Sequence, residues 1–352
     1  MTDEEAIDHA LSAVEMRPGS YALLKRNGRV LMALPARSDA AGLTLLLYQP
    51  QRFKARLGAV ATQILALFAL HRMVLPKYRS AGGKAGLDPE FTGCIPGTAG
   101  VLLGSPEHRV RRAILCYQTT EGWEVAKLAF GPEGRSVIEG EAAAIRSLPR
   151  DLPGRPELRG LHHCGTFFSL LRMPRLRGMP FSPQHSRDAV ALLESWILDL
   201  PPLNAEAFPE WGAIHRTLES SPSGLNTIEA LAAMRLKPAV RHGDFARWNL
   251  IRKDDGSLGV LDWEWGHERG MAGLDLVHYF LQDARLVERL SPADAIAKTR
   301  STLGTGPCAD YLQRAGWNCD PILPIIASLA WKQGAGHQDN EELLEAAVEA
   351  GL

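Results

Sequence analysis

The sequence predicts an α+β fold of two lobes, a small antiparallel sheet lobe and a larger helical lobe, with an N-terminal extension before them. Three observations carry this. Apolar runs at 99–103, 110–118 and 123–130 are joined by short turns and followed by one helical stretch, the pattern of a small sheet with a helix laid on it. After Met173 the apolar spacing becomes helical and stays so to the end, broken by one compact strand pair between Asn249 and Asp262. The first ninety residues follow neither pattern, so the division is 1–90, 91–172 and 173–352.

Composition narrows the partners. With 45% hydrophobic and 22% charged residues the chain has enough apolar material for one large or two moderate cores. Its 39 basic and 40 acidic residues leave a net charge of −1, so no global field recruits nucleic acid and recognition must be local. The five cysteines (Cys94, Cys116, Cys164, Cys308, Cys319) fall into no metal-binding spacing and read as reduced and mostly buried. The acidic start MTDEEAIDHA is unlike a secretory signal, which predicts a cytoplasmic location.

In the extension, Asn27-Gly28 predicts a two-residue hairpin turn, followed by a strand at 43–48. The apolar stretch 57–75 contains Thr62, Gln63, His71 and Arg72, so it reads as an amphipathic helix rather than a membrane span. Between residues 40 and 87 there is no acid, whereas Arg52, Lys54, Arg56, Arg72, Lys77, Arg79 and Lys84 are basic. Such runs are commonly a solvated helix face, and this one also suits an anionic partner or membrane surface. The run at 81–86, AGGKAG, reads as a linker, since it lacks the G-K-[ST] ending of a phosphate-binding loop.

The densest chemistry lies in RHGDFARWNLIRKDDGSLGVLDWEWG, residues 241–266. Asp255-Gly256 at the centre of a two-residue type I′ turn would pair 250–253 with 258–261 and set Asn249 opposite Asp262, with Asp244 entering the same end. Asparagine and aspartate oxygens suit magnesium, which takes few protein ligands beside water and phosphate, so Asn249 and Asp262 are the candidate metal ligands. Asp244 is then the candidate catalytic residue, orienting or deprotonating an attacking hydroxyl. Either Asp244 or Asn249 alone reads better as a turn cap; register and spacing together reverse that in favour of function.

These residues resemble a known family. His242-Gly243-Asp244 with Asn249 five positions on, then Asp262-Trp263-Glu264, is similar to the catalytic loop and metal segment of the aminoglycoside phosphotransferase and choline kinase superfamily, a branch of the protein-kinase-like fold. The resemblance implies transfer of the ATP γ-phosphate to a hydroxyl or amine of a small molecule, with ATP and Mg2+ as cofactors, and a nucleotide-binding role for 91–172. It also demands a strand lysine and a helix glutamate. Lys127, among apolar neighbours at 123–130, fits the first. On the next helix Ser136 and Glu139 are spaced as a capping box, which leaves Glu141, on one stripe with Val137, Ala144, Ile145 and Leu148, as its partner. Gly104 and Ser105 are the candidate phosphate-contacting loop, where an ordinary hairpin turn explains the sequence equally well. Met173 opens the expected hinge against adenine. His242 reads as a structural brace, and Asp275 as either a brace of the catalytic loop or a helix N-cap.

The likeness runs from about residue 92 to 280. An inactive kinase-like scaffold and a kinase acting on a protein or lipid are the rival readings. A sugar or amino-sugar hydroxyl is the expected acceptor, and acids near the end (Asp339, Glu341, Glu342, Glu345) suit either a cationic substrate or a solvated helix face.

Overall fold

The computed structural model describes residues 1–14, 19–48, 53–80, 93–104, 110–164, 168–182, 186–336 and 340–351. It divides into two compact units, one of Met1–Ala143 with Pro156–Leu176, the other of Ala144–Arg155 with Arg177–Leu352.

The first unit runs α1 (Asp3–Val14), β1 (Gly19–Arg26), β2 (Arg29–Pro35), α2 (Ser38–Leu45), α3 (Phe53–Leu67), α4 (His71–Val74) and β3 (Lys77–Ser80). It continues through β4 (Gly100–Leu103), β5 (Arg112–Thr119), β6 (Gly122–Phe130), α5 (Gly131–Ser147), β7 (Gly160–Cys164) and β8 (Phe168–Pro174). All eight strands form one antiparallel sheet in the order β3-β1-β2-β4-β5-β6-β8-β7. The stretch set apart as an extension therefore continues the sheet, with Met32 and Ala33 of β2 paired to Leu102 and Val101 of β4.

The β1–β2 turn is the one its sequence demands, since Asn27 (φ 52°) and Gly28 (φ 79°) both take left-handed backbone between Arg26 and Arg29. Of residues 43–48, expected as a strand, 43–45 instead finish α2 and 46–48 turn away from it; Ala41 and Leu45 of that helix pack on Met32 and Leu34. Tertiary packing overrides the β-pattern of that short apolar run. The predicted 57–75 helix is two, α3 and α4, broken at Ala69. The linker at 81–86 lies outside the described residues.

Period-two alternation sorts the sheet's faces. Ala126 and Leu128 join Leu23, Val101 and Leu115 under Ile7 and Leu11 of α1, one apolar core. Met32, Leu34 and Leu102 point the other way, toward α2 and α3. Lys127, between Ala126 and Leu128, belongs to that second face.

The second unit runs β9 (Met179–Pro180), α6 (Ser186–Ser195), β10 (Leu203–Asn204), α7 (Trp211–Leu218), α8 (Pro222–Ala232), β11 (Arg235–Leu236), β12 (Pro238–Arg241), β13 (Leu250–Arg252), β14 (Leu258–Val260) and β15 (His267–Met271). Five helices close it: α9 (Leu274–Gln282), α10 (Pro292–Leu303), α11 (Gly306–Ala315), α12 (Ile322–Gly334) and α13 (Glu341–Gly351). The α12 helix is buried from Pro324 to Lys332 and packs against α7, α9 and α13, as a helix apolar nearly all round must. Trp196, Phe245 and Trp263 form the aromatic core under the 241–266 segment.

Candidate active site

The loop after β12 is strapped from three sides. Gly243 has φ 83°, and a Cβ there would lie 2.5 Å from Trp265 Cβ and 2.7 Å from its carbonyl oxygen, so only glycine fits. Asp275, in the first turn of α9, accepts the backbone N–H groups of His242 (2.6 Å) and Gly243 (2.9 Å). Of its two readings the structure selects the brace, for the α9 N-cap position is Gly273. His242 is fully buried; its Nε2–H donates to Leu261 O (2.8 Å) and its Nδ1 accepts Asp244 N–H (3.2 Å). Burial pushes its pKa down against the pull of Asp275 and Asp244, so the ring is a neutral tie.

This loop delivers Asp244, whose side chain keeps 30% exposure, enough for a substrate to reach it. His278 donates Nε2–H to Oδ1 (2.8 Å) and Asn249 donates Nδ2–H to Oδ2 (3.0 Å) and to the Asp244 carbonyl (2.8 Å). Lys332 Nζ stands 3.8 Å from Oδ1 at 3% side-chain exposure. Burial alone would raise the Asp244 pKa, but the His278 hydrogen bond and the Lys332 charge outweigh it and hold the carboxyl well below its ordinary range. Burial, with Lys332 behind it, pushes His278 down, and burial also lowers Lys332 while Asp244 resists. The coherent state is an ionised Asp244 receiving a hydrogen bond from a neutral His278.

The hairpin corrects one expectation. Leu250 pairs with Val260 and Arg252 with Leu258, a register shifted by one residue from the one a two-residue turn gives. Lys253 and Ser257 close a three-residue loop in which Gly256 takes φ 83° and donates to Lys253 O (2.9 Å), a type I turn ending in a left-handed glycine. Asp255 fixes it by accepting from Ser257 N–H (2.9 Å) and Oγ–H (2.6 Å). Asn249 O consequently accepts Leu261 N–H (2.8 Å), and Asp262 sits one residue past that pair rather than opposite Asn249.

Asp262 has φ 67°, a left-handed conformation that costs a non-glycine residue energy and recurs where function needs a side chain re-aimed. With Asn249 Nδ2 committed to Asp244, its Oδ1 is the atom left to face a cation. Asn249 Oδ1 and the Asp262 carboxylate are oxygen donors, the donor chemistry magnesium takes beside water and phosphate. Among the described residues no three His, Cys, Asp or Glu side chains converge as a metal site.

In the first unit Lys127 Nζ meets Glu141 Oε1 at 2.5 Å. Lys127 lies in mid-sheet, paired to Ile114 of β5 and Leu171 of β8. Glu141 faces inward with Ile138 and Ile145, whereas Glu139 pairs with Arg135 (2.8 Å) and His163 (3.3 Å). No capping box forms at Ser136, because α5 begins five residues earlier, at Gly131. Gly104 donates its N–H to Arg112 O (2.9 Å), extending the β4–β5 ladder, so that donor is already used within the sheet. Ser105 and Asp339 lie outside the described residues. Met173 is buried in β8, paired to Val125, three residues before the first unit ends at Leu176. The four cysteines whose side chains are described, Cys94, Cys116, Cys308 and Cys319, form no disulfide.

Two residues at Asp244 escaped the sequence reading. His278 follows Asp275 by three positions, one face of a helix, which is a readable spacing. Lys332 is the single cation of an otherwise apolar helix, an anomaly of the same kind as Lys127 in its strand.

The sequence model of the APH phosphotransferase enzyme family matches residues 124–313. No curated protein matches the chain by sequence. Among solved structures, aminoglycoside phosphotransferase APH(4)-Ia resembles it at 11% identity, covering 71% of this chain and 92% of that one, with a TM-score of 0.45. A putative fructosamine-3-kinase from Haemophilus somnus does so at 13% identity (72% and 90% covered, TM-score 0.43). The macrolide 2′-phosphotransferase MphH from Brachybacterium faecium stands at 16% identity (72% and 93% covered, TM-score 0.41). The matched stretch spans more than half of the chain and holds Lys127, Glu141, Asp244, Asn249 and Asp262, and so the chain belongs to the phosphotransferase enzyme family, the small-molecule branch that its catalytic loop resembles.

Proposed function

We propose that the chain transfers the γ-phosphate of ATP, with magnesium, to a hydroxyl or amine of a small molecule, a sugar or amino sugar by preference, in the cytoplasm where ATP is at hand. The observation that carries this reading is the Asp244 carboxylate, ionised, partly exposed and held through both oxygens.

The hydrogen bonds from His278 and Asn249 take one lone pair on each oxygen, which leaves room for the hydrogen of an acceptor hydroxyl. A carboxylate this weakly basic cannot strip an alcohol early. Asp244 therefore orients the acceptor oxygen and takes up its proton as the bond to phosphorus forms and the bridging bond breaks, which suits a loose transfer. Lys127, fixed by Glu141, offers an ammonium to nucleotide phosphate oxygens. Asn249 Oδ1 and Asp262 would hold magnesium, which when bound offsets phosphate charge.

Glu341, Glu342 and Glu345 lie exposed on the outer face of α13, the solvated alternative, so they do not argue for a cationic acceptor. Mass spectrometry of a metabolite panel incubated with protein, ATP and magnesium tests the reading. A phosphorylated product that disappears with Asp244→Asn supports it. Nucleotide binding without turnover on any acceptor, and without slow ATP hydrolysis, would favour the scaffold reading instead.

A further inference from the structure

Among the described residues twelve large apolar side chains are exposed, and seven of them fall between Val60 and Val74. Among the described side chains of α3, from Gly58 on, Val60, Ile64 and Leu67 are exposed, with Phe68 just past its end, at spacings of four, three and one, while Thr62 and Ala66 are buried. Over this described stretch the buried side chains are small while large apolar ones face solvent, the reverse of what water selects. It ends in a fixed reversal: Ala69 takes φ 56°, with Leu70 N–H donating to Leu65 O (2.8 Å) and Ala69 N–H to Ala66 O (3.0 Å). Leu70, just before α4, and Met73 and Val74 on it then continue the apolar crest, at exposures from 42% to 80%. Buried His71, whose ring meets Pro35 O at 2.9 Å, pins the crest to the sheet from beneath.

The charge within the crest's own stretch of sequence has one sign. No acid occurs between residues 40 and 87. Arg72 and Lys77 line a cleft of about 380 Å³ together with Ser20, Ala69 and Met73, so cationic side chains and crest residues share one surface. No helix among the described residues is long and apolar enough to cross a membrane.

We infer that the α3–α4 crest docks this protein on an anionic phospholipid bilayer, with Leu67, Phe68 and Met73 entering the acyl boundary and Arg72 and Lys77 meeting headgroup phosphates. A bilayer interface pairs an apolar layer with a negative surface a few ångströms above it, the complement of this crest and its rim.

The test is sedimentation of the full chain with vesicles of phosphatidylcholine alone and of phosphatidylcholine mixed with phosphatidylglycerol. Wild type should partition to the mixed vesicles, less so as salt rises. The triple variant Leu67→Ser, Phe68→Ser, Met73→Ser should lower that partition by more than about tenfold with its melting temperature kept, since these side chains are exposed. The pair Arg72→Glu, Lys77→Glu leaves the crest intact and should lose the preference for the mixed vesicles. Wild type remaining in the supernatant throughout, or variants sedimenting like wild type, would overturn the inference. So would a wild-type dimer in light scattering that the triple variant makes monomeric without any vesicle binding, which would assign the crest to a second copy.

Discussion

Asp275 and His278 stand one helical turn apart on α9 and divide the catalytic loop between them: the first accepts the backbone N–H groups of His242 and Gly243, the second donates to Oδ1 of Asp244 at 2.8 Å. A single rigid helix thus sets both the path of the loop and the aim of its carboxylate. Rotating or shifting α9 would disturb the two together.

Asp244→Asn keeps the size of the side chain and removes its charge. Turnover should fall by about 10²- to 10⁴-fold, with ATP binding changed little. Steady-state ATP consumption and a nucleotide-dependent melting shift measure the two separately, and an equal loss of both would mean that Asp244 holds the site together rather than acting in it.

His278→Ala leaves Oδ1 facing Lys332 without its closest donor. Loss of a buried hydrogen bond to a charged group should cost about 1–3 kcal/mol of stability, and the freed carboxylate should lower kcat by up to about 100-fold. Denaturant unfolding and kinetics check these, with the KM for ATP expected to stay near wild type.

Glu141→Ala strips the carboxylate from a pair whose side chains are 17% (Lys127) and 3% (Glu141) exposed. Removing one partner of a pair this buried costs about 3 kcal/mol, whereas losing both costs less. The double variant Lys127→Ala, Glu141→Ala should therefore be less destabilised than the sum of the singles, and strict additivity would show the pair to be uncoupled.

Gly243→Ala must adopt a left-handed backbone and push its methyl into Trp265. A cost above about 2 kcal/mol is expected from strain and overlap together, with turnover lost even at temperatures where the variant is folded. Melting curves alongside ATP consumption test it.

Acid should destabilise the protein in two windows. His242 and His278 have folded pKa values below the 6.5 of the free side chain, so the unfolded chain binds protons that the folded one refuses. Their contribution is complete above pH 6.5 and is lost as pH falls below it, at up to about 1.4 kcal/mol per pH unit for each ring. Asp244, lowered from 3.8, adds stability above that value which disappears on further acidification. Urea midpoints taken from pH 7.5 down to pH 3 follow both, and a flat profile between 7 and 5 would contradict the neutral histidines.

Much of the site was legible because the chemistry needs particular atoms at particular spacings. Lys127 and Glu141 were found from an awkward cation in a strand and an awkward anion on an apolar stripe, and the structure joins them. The hairpin was legible in kind but not in register, since Asp-Gly serves both a two-residue turn and the end of a three-residue one, and the anchoring of Asp255 by Ser257 decides between them. A capping box was sought at Ser136 and Glu139, while a real one stands at Thr2 and Glu5, where each side chain accepts the other's backbone N–H at 3.1 and 2.7 Å. The burial of α1 and the turn of 43–45 into helix were hidden, because both depend on partners distant in sequence.

Strand β4 carries a practical lesson about trimming this enzyme. Gly100 to Leu103 are buried and bonded on both sides, to β2 and to β5, and Gly100 is so close to Thr44 that an added Cβ would sit 2.0 Å from its hydroxyl oxygen. A fragment starting near residue 90 would turn this strand into a naked apolar border, an invitation to aggregate. One starting at the matched residue 124 would cut into β6 and strip it of β5. The limits of family likeness are thus not the limits of what folds, and Lys332, the buried cation beside Asp244, falls beyond the likeness as well.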